Sequence, residues 1–242
     1  MTRPWPVPAR PWIMKQVWED LLFAHWPFPP DALAPLIPAG LELDTYDGQA
    51  WLGVVPFRMS GVTLRGVPPL PGISAFPELN LRTYVTQGGK PGVYFFTLDA
   101  RSRLAVETAR AWFHLPYVYA AMRSERSQGG VRYVCERRDR RAAAAYFDAD
   151  YLPVSDVFRA APGTLAFWLT ERYCLYAVNR SGHIFRGEIN HEPWPLQEAQ
   201  ATIRRNTIAA SSGFTLGDEA PLLHFARKLS VRIWALERCR GH

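Results

Sequence analysis

Between Phe76 and Ala100 the chain reads FPELNLRTYVTQGGKPGVYFFTLDA, a polar-apolar alternation followed by an apolar run. Successive side chains of a strand point to opposite faces. Leu79, Leu81, Thr83 and Val85 therefore share one face of a predicted strand, and Glu78, Asn80, Arg82 and Tyr84 share the other. Gln87-Gly88-Gly89-Lys90-Pro91-Gly92 is read as a turn. The next strand, Val93 to Leu98, is apolar on both faces, as expected of a strand covered on both sides. A polar row beside such a strand either lines an enclosed cavity or forms an ordinary solvated face. In the first case a carboxylate, an amide, a guanidinium and a phenol converge on a small ligand.

The rest of the chain reads as short strands with a few helices. Met1 to Trp12 carries four prolines and is expected to be an extended arm. Ile13 to Phe28 is ambiguous: Ile13, Val17 and Leu21 have helical spacing, whereas Leu22 to Trp26 suits a buried strand. Pro29-Pro30-Asp31 opens a short predicted helix, Ala32 to Leu36. Asp47-Gly48 suits a type I′ turn, which predicts a hairpin of Leu41–Tyr46 with Gln49–Phe57. A weaker strand is expected at Val62 to Val67, with a rigid loop at Pro68 to Gly72. Leu104 to Phe113 reads as a helix with Ala105, Ala109 and Trp112 along one side, ended by Pro116.

Further strands are expected at Tyr117–Glu125 and Val131–Arg137, paired around Ser127 to Gly130, and at Ala142–Tyr151. Thr164 caps a predicted helix, Leu165 to Arg172. Tyr173–Val178 and Ile184–Ile189 pair across Asn179 to Gly182, and Leu196–Arg205 and Leu222–Leu236 complete the set. No repeat, linker or shift in composition marks a boundary. The expectation is one domain over 1–242, an arm (1–12) followed by a mainly β, antiparallel barrel or highly curved sheet (13–242).

Composition narrows the function classes. At 48% hydrophobic residues a sizeable core can form. The net charge of +6 invites a nucleic-acid reading, but arginine supplies nearly all of it, Lys15, Lys90 and Lys228 being the only lysines. No tryptophan alternates with lysine or arginine as single-strand binders require. The densest basic run, Arg137 to Arg141, is broken by Asp139 and reads as a solvated turn. Cys135, Cys174 and Cys239 are unpaired in spacing, which suits free thiols in a reducing cytoplasm. Neither a signal peptide nor a membrane-length apolar run is visible. The expected partner is a small organic acid or carbonyl compound, with neither nucleic acid nor membrane; a homo-oligomer stays open.

Common catalytic signatures are absent, and no two histidines have the i, i+4 spacing of a metal site, so no metal or cofactor is expected. Beyond the polar row, His191-Glu192-Pro193-Trp194-Pro195 follows a strand, and its prolines can hold an imidazole at the mouth of a barrel. His191 is then either an acid/base group or a histidine packed in a rigid loop. Arg172 follows a predicted helix and either binds a ligand carboxylate or pairs with a core glutamate such as Glu78. In an enzyme, Glu78 or His191 would act as general acid/base, and Asn80, Arg82, Tyr84, Tyr117 and Arg172 would contact the ligand.

The segments DTYDGQAWLGVVPFRM, FPELNLRTYV, GVYFFTLDA, TERYCLY and HEPWPLQ resemble the YqjF-like family of uncharacterised bacterial proteins, a domain-of-unknown-function family. The resemblance runs from about Trp18 to Leu236. That family is similar in fold to acetoacetate decarboxylase, an antiparallel β-barrel or cone with an internal cavity, so the resemblance implies this fold. The decarboxylase uses a Schiff-base lysine, a second lysine beside it and a supporting glutamate. At the similar segment here, Phe113 to Val118, Tyr117 and Val118 stand where the lysines would be, and Glu78 falls near the glutamate. His25-Trp26 stands where the decarboxylase has an arginine. The resemblance thus implies the fold without the amine chemistry.

Overall fold

In the computed structural model, which describes residues 3–67 and 74–239, thirteen strands form one hydrogen-bonded network. They are β1 (Met14–Phe28), β2 (Glu42–Leu43), β3 (Ala50–Leu64), β4 (Phe76–Gln87), β5 (Lys90–Ala100), β6 (Tyr117–Ser127) and β7 (Gly130–Arg137). β8 (Tyr146–Pro153), β9 (Cys174–Val178), β10 (Ile184–Asn190), β11 (Leu196–Asn206), β12 (Leu222–Ile233) and β13 (Glu237–Arg238) follow. The helices are α1 (Pro30–Leu33), extended by a 3-10 turn at Ala34–Leu36, α2 (Arg103–Phe113) and α3 (Leu165–Thr170). The loop expected at Pro68 to Gly72 lies outside the described residues.

The ambiguous N-terminal stretch is a strand, and one residue explains its irregular pattern. Asp20 adopts φ 53°, and the β1–β3 register slips between Glu19 and Ala24. This bulge inserts one residue and moves the later side chains to the opposite parity. Gln16, Trp18 and Leu21 consequently line the same cavity. Arg126 Nε and Arg227 Nη1 each bond the buried Asp20 carboxylate at 2.7 Å and pin the bulge.

Pairing along β12-β1-β3-β4-β5 returns to its start by two routes, one through β6-β7-β8-β11 and one through β9-β10. The shared strands bury both faces. Leu22, Ala24, Leu52, Val54, Leu79 and Leu81 enter one apolar cluster, filled by Tyr133, Phe147, Tyr151 and Phe225. Leu21, Phe23, Val55 and Phe57 enter the other, closed by Trp194, Ile189 and Val106 of α2. Burying a Val, Leu, Ile or Phe side chain contributes roughly 1.5–3 kcal/mol, so both faces are strongly specified.

Several expectations are corrected. Asp47 (φ 49°) and Gly48 (φ 77°) do form the tight turn. Only Tyr46 and Gln49 bridge across it, however, and β2 pairs with β4 instead of β3. Val62 to Leu64 continues β3 past a kink at Gly61. β8 begins at Tyr146, leaving the alanine run outside the strand. The sheet is not purely antiparallel: β5 pairs in parallel with both β6 and β9. Trp112 is 64% exposed, and α2 turns Val106 and Phe113 inward beside Ala105. Arg137 is no solvated turn residue. Its guanidinium grips Asp99 with two 2.7 Å bonds, and neither side chain is exposed.

Candidate functional site

The polar face of β4 meets the second apolar cluster. There Glu78, Asn80 and Arg82 line a cavity of about 140 Å³, together with Tyr117, Arg172 and His191. Alternation alone puts the first three on one wall, and the β4–β5 hairpin fixes them. Its Gly88-Gly89 turn has positive φ at both positions, the geometry that two-residue hairpins favour.

Tyr117 opens β6 and pairs with Leu98 of β5, which itself opposes Asn80 of β4. Its hydroxyl donates to Glu78 Oε2 at 2.8 Å. Burial pushes the Glu78 carboxyl up to about 8; Tyr117's hydrogen bond pulls it down, and nearby Asp99 adds to the rise. Burial, aided by Glu78, likewise holds the Tyr117 phenol well above its ordinary value. The backbone there is held as well, since Tyr133 donates its hydroxyl to the Glu78 carbonyl at 2.7 Å.

Arg82 lies between the Phe23 and Tyr84 rings, 5.1 and 5.6 Å from their centroids. Its Nη2 donates to the Tyr84 hydroxyl at 3.2 Å and to the Leu169 carbonyl at 3.4 Å, and its buried Nε has no partner. Among the described residues no carboxylate forms an ion pair with it. Arg172 follows the C-terminal end of α3, a helix that Thr164 caps at its start by accepting from the Phe167 amide. Nη1 of Arg172 bonds Asp44 Oδ2 at 2.5 Å, Nε donates to the Trp168 carbonyl at 2.6 Å, and the buried Nη2 is unpartnered. Burial lowers its pKa while Asp44 raises it; an arginine stays charged regardless. The expected internal pair is thus with Asp44 in place of Glu78.

His191 lines the cavity but stacks on Tyr173 with ring centroids 4.6 Å apart. Its Nδ1 lies 2.8 Å from the Glu192 carbonyl oxygen and its Nε2 3.3 Å from that of Arg172. Burial lowers its pKa. A neutral ring has one N–H and donates to only one of these carbonyls, while its other nitrogen faces the second carbonyl oxygen without a donor. Tyr84 also differs from expectation, because it backs the wall without lining the cavity. Its hydroxyl lies 2.6 Å from His25 Nε2, and Arg172 and Trp168 cover its ring.

Three contributors were not assigned to the site from the sequence. Asp44 directly follows β2, its amide donating to the Tyr84 carbonyl, and only its contact with Arg172 identifies it. Trp194 lines the cavity with an unpartnered Nε1, and the proline-rich motif around His191 was its one signal. His25 is buried, and burial together with Arg82 and His224 holds it well below its ordinary pKa, hence neutral beside the guanidinium. Asn80 Oδ1, also buried and unpartnered, completes the polar lining.

At neutral pH the cavity therefore presents a protonated carboxyl, an arginine without a counterion and a second arginine with one free N–H group. This set can hold an anion and exchange a proton with it. Lys15 and Lys228 are exposed, and Lys90 pairs with Glu188 at 3.5 Å; none of the three lines the cavity. Among the described residues no group of three or more His, Cys, Asp or Glu side chains converges, and no helix is long and apolar enough to cross a membrane.

A family model, DUF2071, described as an uncharacterized conserved protein, matches residues 15–230. The uncharacterized protein YqjF of Bacillus subtilis (strain 168) is 50% identical over 232 residues, 96% of this chain and 95% of its own. Similar solved structures include the enduracididine biosynthesis enzyme MppR complexed with pyruvate. Its TM-score is 0.67 at 10% identity, over 96% of this chain and 93% of that one. An acetoacetate decarboxylase-like enzyme from Sphingomonas wittichii RW1 has a TM-score of 0.65 at 16% identity, over 99% and 98% of the two chains. Acetoacetate decarboxylase from Legionella pneumophila has a TM-score of 0.60 at 12% identity, over 99% and 93%. These likenesses carry the fold: mainly β, with acetoacetate decarboxylase-like neighbours.

Proposed function

The chain belongs to the DUF2071 family, and from that premise we propose that its cavity binds a small organic anion, a carboxylate carrying a carbonyl group. One observation carries this reading: Arg82 is a largely enclosed guanidinium with no carboxylate counterpart among the described residues. A charge withdrawn from water is costly unless paired, and a ligand carboxylate supplies the pair. The free Nη2 of Arg172 and Nε1 of Trp194 add donors. These unpartnered atoms weigh against an interior that satisfies only itself.

Size sets the class. A cavity of about 140 Å³ is close to one that holds benzene, which limits the ligand to roughly six non-hydrogen atoms. Pyruvate, present in one MppR structure, is a compound of this size. The pairing route through β9-β10 closes a barrel or cone around this chamber and the other route closes around the first apolar cluster, in a single domain. Glu78 is the proton donor to the carbonyl end of the ligand, relayed or steadied by Tyr117, and Arg82 offsets negative charge developing on oxygen. Without a lysine in the wall, the ligand is held non-covalently.

A thermal-shift series tests this. Acetate, pyruvate and butyrate are compared with their uncharged amides on the wild type and on Arg82→Met. Ligand binding raises the midpoint by mass action, so the acids should stabilise the wild type and leave the variant unmoved. Equal stabilisation of both proteins, or none by any acid, removes the anion site.

A further inference from the structure

The sheet forks where β5 changes neighbours. One edge of β5 runs beside β4 for its whole length. The other edge is shared, by β9 at Val93 and Tyr94 and by β6 from Leu98 to Ala100. Between these ladders, Phe95, Phe96 and Thr97 have no ladder partner on that edge among the described residues. The β4–β5 register also slips here: Leu81 opposes Thr97 and Arg82 opposes Phe95, so Phe96 is the bulged residue.

Outside the fork lies an open groove of about 790 Å³, bordered by α2, residues 114–116 and β9. Phe95 and Leu115 line both this groove and the inner cavity. At this point the wall is one side chain deep. The two residues belong to a small apolar cluster with Leu98 and Ala177. Apolar contacts yield to a change of rotamer, whereas the far end of the cavity, at Met14, Met59 and Ile233, is tied by the β1–β3 and β1–β12 ladders. The groove carries Arg110, Arg141 and Arg180 against Glu107, with Asp139 bonded to Arg141, and so keeps a positive balance.

We propose that small anions reach the cavity through the fork between β6 and β9, and that Phe95 and Leu115 determine the size of molecule admitted. The choice of an anion rests on the reading of the cavity given above; the route does not. An aqueous groove of one charge raises the local concentration of opposite charge, so the arginines favour anions over cations at the entrance.

Cys174 reports on the route without any ligand. Its residue borders the inner cavity and is 1% exposed, its thiol packs behind that wall against Val85 and Tyr176 and toward the Pro91 carbonyl, and burial pushes it up to about 12, so it reacts slowly and only with a reagent that has entered the protein. Methyl, sulfonatoethyl and trimethylammonioethyl methanethiosulfonates are applied to the full chain, and modification is read by peptide mass mapping. Half-buried Cys239 serves as the internal reference and fully buried Cys135 as the sensor of unfolding. Phe95→Ala and Leu115→Ala should each raise the sulfonatoethyl rate at Cys174 about ten-fold, with Met59→Ala within about two-fold of wild type. Salt should slow the sulfonatoethyl reagent and leave the methyl reagent unaffected. Phe95→Leu, which removes less volume than Phe95→Ala, should give an intermediate rate if Phe95→Ala is poorly folded.

An equal or larger acceleration in Met59→Ala overturns the route, as does a Cys174 rate unchanged in all variants or Cys135 reacting in step with Cys174. Failure of every acid in the thermal-shift series leaves the thiol result standing, and failure here leaves the anion site standing.

Discussion

Tyr117 donates its phenolic hydrogen to Glu78 Oε2 across 2.8 Å, joining β4 to the first residue of β6. Glu78 is buried and Tyr117 half-buried. The carboxyl responds by keeping its proton to about pH 8, and the phenol by holding its own well above the ordinary range. A protonated carboxyl and an unneutralised guanidinium line the same cavity, and the carboxyl makes the protein's stability depend on pH in a specific direction.

In the unfolded chain Glu78 ionises near its ordinary value of 4.5, and in the folded protein near 8. Between those values the folded state binds more protons, so stability falls as pH rises. The contribution is fully present below about 4.5, is lost progressively up to about 8, and does not change further above it. The span corresponds to a loss on the order of 5 kcal/mol. Glu78→Gln keeps the shape without the titration, so its stability relative to wild type should rise across this window. Urea midpoints of both proteins measured from pH 4.5 to 8.5 check it; parallel curves would mean that Glu78 titrates normally.

His25, Gly53 and Arg82 form one rung across β1, β3 and β4. A Cβ at Gly53 would stand 3.0 Å from His25 Cδ2, 3.1 Å from its Nε2 and 3.3 Å from Arg82 Cγ. The missing side chain is what lets the imidazole and the guanidinium lean over β3 toward the Tyr84 hydroxyl. Gly53→Ala should cost about 1–3 kcal/mol of stability. It should also weaken the thermal shift produced by small acids more than the same loss of stability introduced elsewhere, for instance by Ile208→Val in the other cluster. Equal shifts in the two variants would detach Gly53 from the site.

The readable part of this site was the part written in period two. Glu78, Asn80 and Arg82 could be assigned to one wall because β4 has no bulge between them and a shifted register would expose Leu79 and Leu81. β1 defeated the same method, since the extra residue at Asp20 reverses parity midway and mimics helical spacing. Pairings between distant segments carry no local signal. Nothing near Asp44 announces Arg172, 128 residues away. The parallel neighbours of β5 were likewise invisible, because a strand apolar on both faces says that it is covered but not by what. Arg137 looked like surface because its neighbours are charged; only the fold brings Asp99 to it.

The Arg172–Asp44 pair holds the second guanidinium of the cavity in place, with Asp44 on the more exposed side. Asp44→Asn removes the counter-charge and leaves the buried cation behind. The expected cost is about 1–3 kcal/mol, below that of a fully buried pair because Asp44 is partly solvated. A small carboxylate in solution can then take the freed donors, so acetate should recover part of the lost midpoint and raise the variant more than the wild type. A variant as stable as wild type in buffer alone, or one indifferent to acetate, would show that Arg172 does not depend on a neighbouring anion.

The fold neighbours include acetoacetate decarboxylase, whose chemistry needs a reactive amine, and the sequence carries only three lysines. Lys15 and Lys228 face outward, and Lys90 lies against Glu188 and the Trp5 ring, 5.2 Å from its centroid. An imine requires the amine nitrogen and the ligand carbonyl carbon in contact, and no lysine borders the cavity to provide that contact. Incubation with pyruvate or acetoacetate followed by borohydride should therefore leave the intact mass unchanged, under conditions in which the same acids stabilise the fold. A stoichiometric adduct at Lys15, Lys90 or Lys228 would place the reacting carbonyl outside the Glu78–Arg82 cavity. The roles of both residues would then have to be given up. An unchanged mass together with a thermal shift keeps recognition non-covalent, with the proton of Glu78 and the charge of Arg82 as the working groups.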